Sequence, residues 1–153
     1  MLKKRLIPVL LLQDGMLVRS QGFTEHQVIG APVHEVRRFN EWNVDELVYL
    51  DIGGTHSALE ILGTIAETCF MPLAFGGRIQ SAEQMREILA RGADKVVINS
   101  AAFRTPELIA EGARTFGNQA IVVSIDVMQG EVVIDGGRTR TGRDPIAWAR
   151  EAE

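Results

Sequence analysis

Residues 73–92 read LAFGGRIQSAEQMREILARG, and this stretch decides the fold. Leu73-Ala-Phe75 is a short apolar strand, and Gly76-Gly77-Arg78 turns the chain. Ser81-Ala-Glu-Gln84 is a capping box that starts a helix. Gly92 stands just past the helical pattern, where a left-handed residue commonly closes a helix. Strand, turn and capped helix together make one βα unit.

The unit recurs on both sides. Apolar runs of strand length lie at 6–12, 46–51, 95–99 and 120–127, and helical spacing runs through 32–42, 57–69, 81–91 and 105–116. Thr105-Pro106 and Asp144-Pro145 each set a capping side chain before a proline at the first helical position, and Gly117 sits at another helix end. The strands are apolar throughout rather than alternating, so both faces are expected to be buried, as parallel sheets require. No linker, low-complexity tract or composition shift divides residues 1–153, which predicts one α/β domain of repeated right-handed crossovers. Two architectures satisfy this, a doubly wound open sheet and a TIM (β/α)8 barrel. No G-x-G-x-x-G follows the first strand, which weakens the dinucleotide-binding version. A complete barrel needs about 250 residues. The units here reach a fifth strand and the start of its helix, so the expectation is the N-terminal half-barrel plus strand five.

Composition narrows the function classes. The 153 residues are 46% hydrophobic and 24% charged, with 16 basic and 20 acidic residues dispersed along the chain. No basic patch suggests nucleic acid and no acidic tail suggests a disordered arm. The lone Cys69 cannot form an internal disulfide and reads as a packing residue without a basic neighbour to activate it. Residues 1–5 are basic and precede an apolar run, but that run is short for a signal peptide and lacks a small-residue cleavage site. No stretch is long enough to span a membrane, and the expected compartment is the cytoplasm.

Reactive groups in either architecture belong at the carboxyl ends of strands. Those ends carry Leu11, Gln13, Asp51, Gly76-Gly77-Arg78, Asn99-Ser100 and Asp126. Gly77 offers bare backbone amides near a helix start, Arg78 a guanidinium, and Asn99 and Ser100 side-chain donors at the next strand end. Gly-Gly alone is equally a tight turn; two adjacent donor-rich ends favour phosphate binding. Asp126, after a buried strand, suits a proton carrier with a raised pKa, and is almost as well read as a carboxylate accepting loop amides. Asp51 carries the same two readings. His26, His34 and His56 are isolated and lack metal-site spacing; only His56, just past the second strand, could reach a ligand, and it reads better as a solvated loop residue. Trp42 and Trp148 fall in helical patterns and read as packing residues. No metal or cofactor is expected.

Several segments resemble the cyclase subunit of imidazole glycerol phosphate synthase: Arg5-Leu-Ile-Pro8, Asp14-Gly15, Asp45-Glu-Leu-Val-Tyr-Leu-Asp-Ile52, Gly92-Ala-Asp-Lys-Val96, Ile98-Asn-Ser-Ala-Ala102 and Val123-Ser-Ile-Asp126. The resemblance runs the length of the chain in register. It implies a TIM barrel of two similar halves and a glutaminase partner whose ammonia enters at the lower face. It also implies phosphate contacts at Gly77, Arg78, Asn99 and Ser100, substrate contacts at Arg19 and Asp51, and a charged ammonia gate of Arg5, Glu46 and Lys95. Asp94 and Gln119 match the surface that meets the glutaminase, and Asp126 matches one of two catalytic aspartates. The other aspartate's place in the first strand is taken by Leu11, and losing a general acid or base removes about 10²–10⁴-fold in rate. Arg19 replaces a lysine, and Arg78 replaces the third glycine of a Gly-Gly-Gly turn.

Retained gate and partner positions beside a lost catalyst resemble a paralogue of the cyclase from surface-polysaccharide pathways. That branch implies an ammonia conduit working with a glutaminase and a sugar amidotransferase. The alternative is the ordinary cyclase of histidine biosynthesis, and a third reading is a truncated scaffold without activity. A half-barrel with open edges at 6–12 and 120–127 is expected to self-associate.

Overall fold

The computed structural model describes residues 3–54 and 57–153; His56 lies outside them. The chain enters through β1 (Val9–Gln13) and reverses at Asp14-Gly15, whose φ values of 51° and 78° make a two-residue turn matched to the twist of a hairpin. It returns as β2 (Met16–Gln21) and turns again into β3 (Glu25–Gly30), both pairings antiparallel. The expected alternation then begins with α1 (Pro32–Trp42), β4 (Leu47–Asp51), α2 (Ser57–Thr68) and β5 (Leu73–Gly76). It continues through α3 (Ala82–Ala90), β6 (Lys95–Ile98), α4 (Ser100–Arg104), α5 (Glu107–Phe116) and β7 (Ile121–Val123).

The sheet order is β3-β2-β1-β4-β5-β6-β7, and β1, β4, β5, β6 and β7 pair in parallel, in chain order. Sequential parallel strands with helices on one face form the N-terminal part of a (β/α) barrel. A small antiparallel sheet of β8 (Asp126–Met128), β9 (Glu131–Ile134) and β10 (Thr139–Arg140) follows, and α6 (Pro145–Ala152) ends the described chain.

Side chains sort by strand parity, as a pleated sheet requires. Leu12, Leu47, Tyr49, Leu73, Phe75, Val96 and Ile98 point outward and pack with Val36, Leu62, Ile65, Met85 and Leu108 of the helices. Tyr49 keeps its hydroxyl satisfied there by donating to the Pro32 carbonyl at 2.8 Å, and burial pushes its pKa upward. The alternate positions Val9, Leu11, Val48, Leu50, Ala74, Val97 and Val122 therefore line the concave face.

Several sequence expectations are corrected. The run 120–127 is not one strand. Parallel pairing ends near Ser124, whose amide donates to the Ile98 carbonyl at 2.8 Å. The left-handed pair Gln129-Gly130 (φ 52° and 84°) then folds residues 126–128 back onto β9, so hairpin pairing takes them from the barrel sheet. The edge of β1 is not fully open, because β2 pairs with Leu11, Leu12 and Gln13. Thr105 does not cap α5 with its side chain; its carbonyl accepts the Leu108 amide at 3.0 Å instead. Ser81 and Asp144 do cap, accepting the amides of Gln84 at 3.3 Å and Ala147 at 2.7 Å. Trp148 is buried edge-on against Phe103, whereas Trp42, at the last position of α1, is 62% exposed and touches its own helix, edge-on to Phe39 and under the Arg38 guanidinium. Cys69 is half-buried with its thiol on the Met71 carbonyl, and burial raises its pKa. Among the described residues no helix is long and apolar enough to cross a membrane.

Candidate functional site at the two ends of the barrel strands

At the amino end of the strands, Glu46 leads into β4, Lys95 opens β6 and Arg5 precedes β1. The structure brings these three together. Lys95 Nζ lies 2.7 Å from Glu46 Oε1, and Arg5 Nη1 lies 3.6 Å from Glu46 Oε2. Glu46 is one of only two buried charged residues among those described, the other being Asp51. Burying a carboxylate is costly unless it is paired, and Lys95 and Arg5 pair this one. Lys95 shares strand parity with Val97, so the pair sits at the lower rim of the concave face.

Asp94 and Gln119 lie at the same end, in the segments entering β6 and β7, and both are exposed. Asp94 also accepts the Leu73 amide at 2.8 Å, as Asp45 accepts the Leu6 amide at 2.7 Å. Each carboxylate thus ties a strand start to the neighbouring strand. Sequence reasoning missed the apolar side chains of this end: Leu6, Trp42 and Phe70 are 62%, 62% and 87% exposed. Asn40 joins the last two segments, donating to the Thr68 carbonyl and accepting the Phe70 amide. Their position after a helix and before a strand was the available signal, since loops at that end have no helix to cover them.

At the carboxyl end, Gly76 and Gly77 are set by close approach. A Cβ on Gly76 would lie 2.5 Å from the Val97 carbonyl, and one on Gly77 would collide with the Asp51 backbone. Gly77 also has φ 131°, a region that favours glycine. Arg78, at φ 53°, folds its guanidinium over Gly54 and donates to the Ile52 carbonyl at 3.3 Å. The Asp51 carboxylate accepts the amides of Gly53 and Gly54 at 3.0 and 3.1 Å, so it organises the loop after β4. Burial pushes the Asp51 pKa upward against these amides and the nearby Arg78 charge.

Asn99 and Ser100 follow β6. Ser100 Oγ donates to Asn99 Oδ1 at 3.0 Å, and Asn99 Nδ2 donates to the Ser124 carbonyl at 2.9 Å. Asp126 is half-buried, and desolvation raises its pKa while the Asn99 side chain acts in the opposite sense. A carboxyl that holds its proton above the usual range, beside polar side chains at a strand end, is equipped for proton transfer. Its own strand belongs to the small sheet, so the turn after β7 aims it rather than β7 itself.

Leu11 is half-buried between Leu50 and Val18, with no ionisable group at that position. Arg19, in the middle of β2, is exposed and set opposite Gln27. It stands on the hairpin, apart from Gly77 and Ser100 in the sheet order. His26 is exposed on β3 and His34 on α1, away from the strand ends.

Comparison with known proteins places these positions in a family. Residues 5–153 match the family described as "Histidine biosynthesis protein". The chain is 43% identical to a protein of Desulfovibrio desulfuricans named "Imidazole glycerol phosphate synthase subunit HisF", over 98% of this chain and 63% of the relative. It is 40% identical to the protein of the same name from Alkaliphilus metalliredigens, with the same coverage. The chain therefore spans under two thirds of the length of these curated relatives. With five sequential parallel strands and the match over nearly all of its length, the chain belongs to the histidine biosynthesis protein family.

Proposed function

We propose that this chain forms the N-terminal portion of an ammonia-accepting cyclase subunit of the imidazole glycerol phosphate synthase type. The observation that carries the reading is the buried Glu46 carboxylate paired with Lys95 and Arg5 at one end of the concave face, with Asp126 and the Asn99-Ser100 donors at the other. In this reading ammonia from a glutaminase subunit enters past Glu46. It crosses the apolar concave face, where Val48, Leu50 and Val97 offer an uncharged molecule no competing ligand. A phosphorylated small molecule is held by the amides at Gly77, by Arg78, and by Asn99 and Ser100. Asp126 carries the proton, and Arg19 and Asp51 contribute substrate contacts from the hairpin and the β4 loop. Exposed Phe70, Trp42 and Leu6 with Asp94 and Gln119 form the glutaminase-facing surface, since exposed apolar side chains ringed by polar ones mark protein contacts.

A second reading is favoured by one observation, the leucine at position 11. Without a carboxylate there, the same gate and channel would serve delivery of ammonia to a separate sugar amidotransferase. The two readings share the glutaminase and part at the ring-closing substrate. The test of their common part is association. The chain, completed with the C-terminal part of the Desulfovibrio desulfuricans relative, is mixed with that organism's glutaminase subunit. A one-to-one complex weakened by Phe70→Ser is expected; no association with any variant would refute the amino-end assignment.

A further inference from the structure

Beyond these roles, we propose that Asp135 is a positioning residue that holds the Ser100 hydroxyl, and through it Asn99, in register at the carboxyl end of β6. This inference rests on the anion site proposed above. Asp135 starts the turn between β9 and β10, in the left-handed region at φ 57°, and its amide donates to Ser100 Oγ at 2.9 Å. That bond joins the small second sheet to the barrel. The turn is clamped at three points. Arg104 Nη2 and Thr139 Oγ1 meet Asp135 Oδ2 at 2.5 and 2.8 Å, and Arg138 Nε donates to the Asp135 carbonyl at 2.8 Å. The Arg104 guanidinium and Thr139 hydroxyl also hold the carboxyl below the usual range, so it stays ionised and the clamp stays closed near neutral pH.

The consequence lies in the single proton of Ser100. A hydroxyl that accepts from Asp135 and donates to Asn99 Oδ1 has a fixed rotor, and a donor that also accepts is polarised into a stronger donor. An arriving phosphate oxygen can only accept, so it must draw this proton away from Asn99 while the Asp135 amide keeps the oxygen in place. Asn99 Oδ1 is released by the same event, and the Asn99 amide is the group tied to the Ser124 carbonyl just past the end of β7. Anion binding and the setting of Asn99 are thereby joined through one hydroxyl, and Asp135 holds that hydroxyl.

The test is a double-mutant cycle on the chain as it stands, with inorganic phosphate as probe and NMR as readout. Asp135→Ala is expected to weaken phosphate binding about threefold to tenfold, the value of one net hydrogen bond. Asp135→Asn tolerates positive φ and still offers an acceptor to Thr139 and Arg104, so it is expected to restore binding to within about twofold. In the Ser100→Ala background Asp135→Ala should cost nothing further. The Asn99 side-chain amide signals should shift in Asp135→Ala and remain in place in Asp135→Asn. Should Asp135→Ala not fold, Arg104→Gln, which loosens the clamp and leaves the turn intact, is expected to move the same signals. Additive losses in the cycle, or Asn99 signals unmoved by a folded variant, would overturn the proposal. Asn99 signals that move in Asp135→Ala as predicted, in a chain that binds no phosphate even with Asp135 in place, would refute the anion site and leave the positioning role standing.

Discussion

Replacing Lys95 by methionine should separate what the Glu46 cluster costs in stability from what it does. Removing one partner of a buried ion pair destabilises by about 3–5 kcal/mol, because the remaining charge is stranded away from water. Here the loss is smaller. The Lys95 side chain is 27% exposed, and Arg5 remains 3.6 Å from Glu46 after the change. We expect about 2 kcal/mol, roughly half the fully buried figure, or a Tm lower by about 4–8 °C for a chain of this size. Glu46→Leu combined with Lys95→Met removes both charges, and apolar replacement of a buried pair is commonly neutral or stabilising. The double variant should therefore fall within about 1 kcal/mol of wild type. Urea unfolding followed by circular dichroism measures all three proteins. A single variant as stable as wild type would show that Glu46 is solvated, and a double variant as weak as the single would show that packing, not charge, explains the loss. If the expected pattern holds, these charges are not kept for stability, as the proposed gate role requires.

Trp148→Ala should cost about 3–4 kcal/mol, since the ring is buried against Phe103, while Trp42→Ala should stay within about 0.5 kcal/mol; thermal melts of both check the contrast. Asp126→Asn should stabilise the chain at neutral pH relative to wild type, with the difference vanishing in acid. The folded pKa of Asp126 is raised, so the fold favours the protonated form and loses stability as pH rises from the ordinary value of 3.8 through the raised one. Unfolding at acid and neutral pH measures it, and a larger gap in acid would reverse the assigned cause. The isolated chain should self-associate in sedimentation runs at rising concentration, because β3 and β7 are free sheet edges and Val28, Ile29 and Val9 are more than half exposed. A monomer at every concentration would mean the concave face is tolerated in water.

Most of the βα alternation was legible because its signals are local. Ser81 and Asp144 cap the helices they precede, and the apolar runs at 46–51, 73–75 and 95–99 fall on β4, β5 and β6. What escaped was hairpin chemistry. Asp14-Gly15 is the strongest short-range hairpin signal, but β2 (MLVRSQ) and β3 (EHQVIG) are too polar to stand out as apolar strands. Gln129-Gly130 is a weaker form of the same turn, and without it the run 120–127 reads as one strand. Thr105 closes α4 at φ −137° and ψ 77°, and its carbonyl rather than its hydroxyl takes the Leu108 amide, an arrangement that the Thr-Pro pair alone does not encode. The gate residues came from resemblance, and the geometry that joins them depends on register across β1, β4 and β6, which no single segment encodes. Asp135 left no trace beyond an Asp-Gly-Gly turn, because its contacts with Ser100 and Arg104 span more than thirty residues.

In the proposed reading Leu11 occupies the place of a catalytic aspartate in a cyclase-type barrel. The measurement that meets it most directly is ammonia-dependent ring closure of the family's ribulosyl substrate. The chain is completed with the C-terminal part of the Desulfovibrio desulfuricans relative and compared with its Leu11→Asp variant. Turnover is expected to be about 10²–10⁴-fold below an ordinary cyclase for the leucine form and to rise at least about tenfold with aspartate. Equal turnover in the two forms, whether high or absent, would contradict that reading.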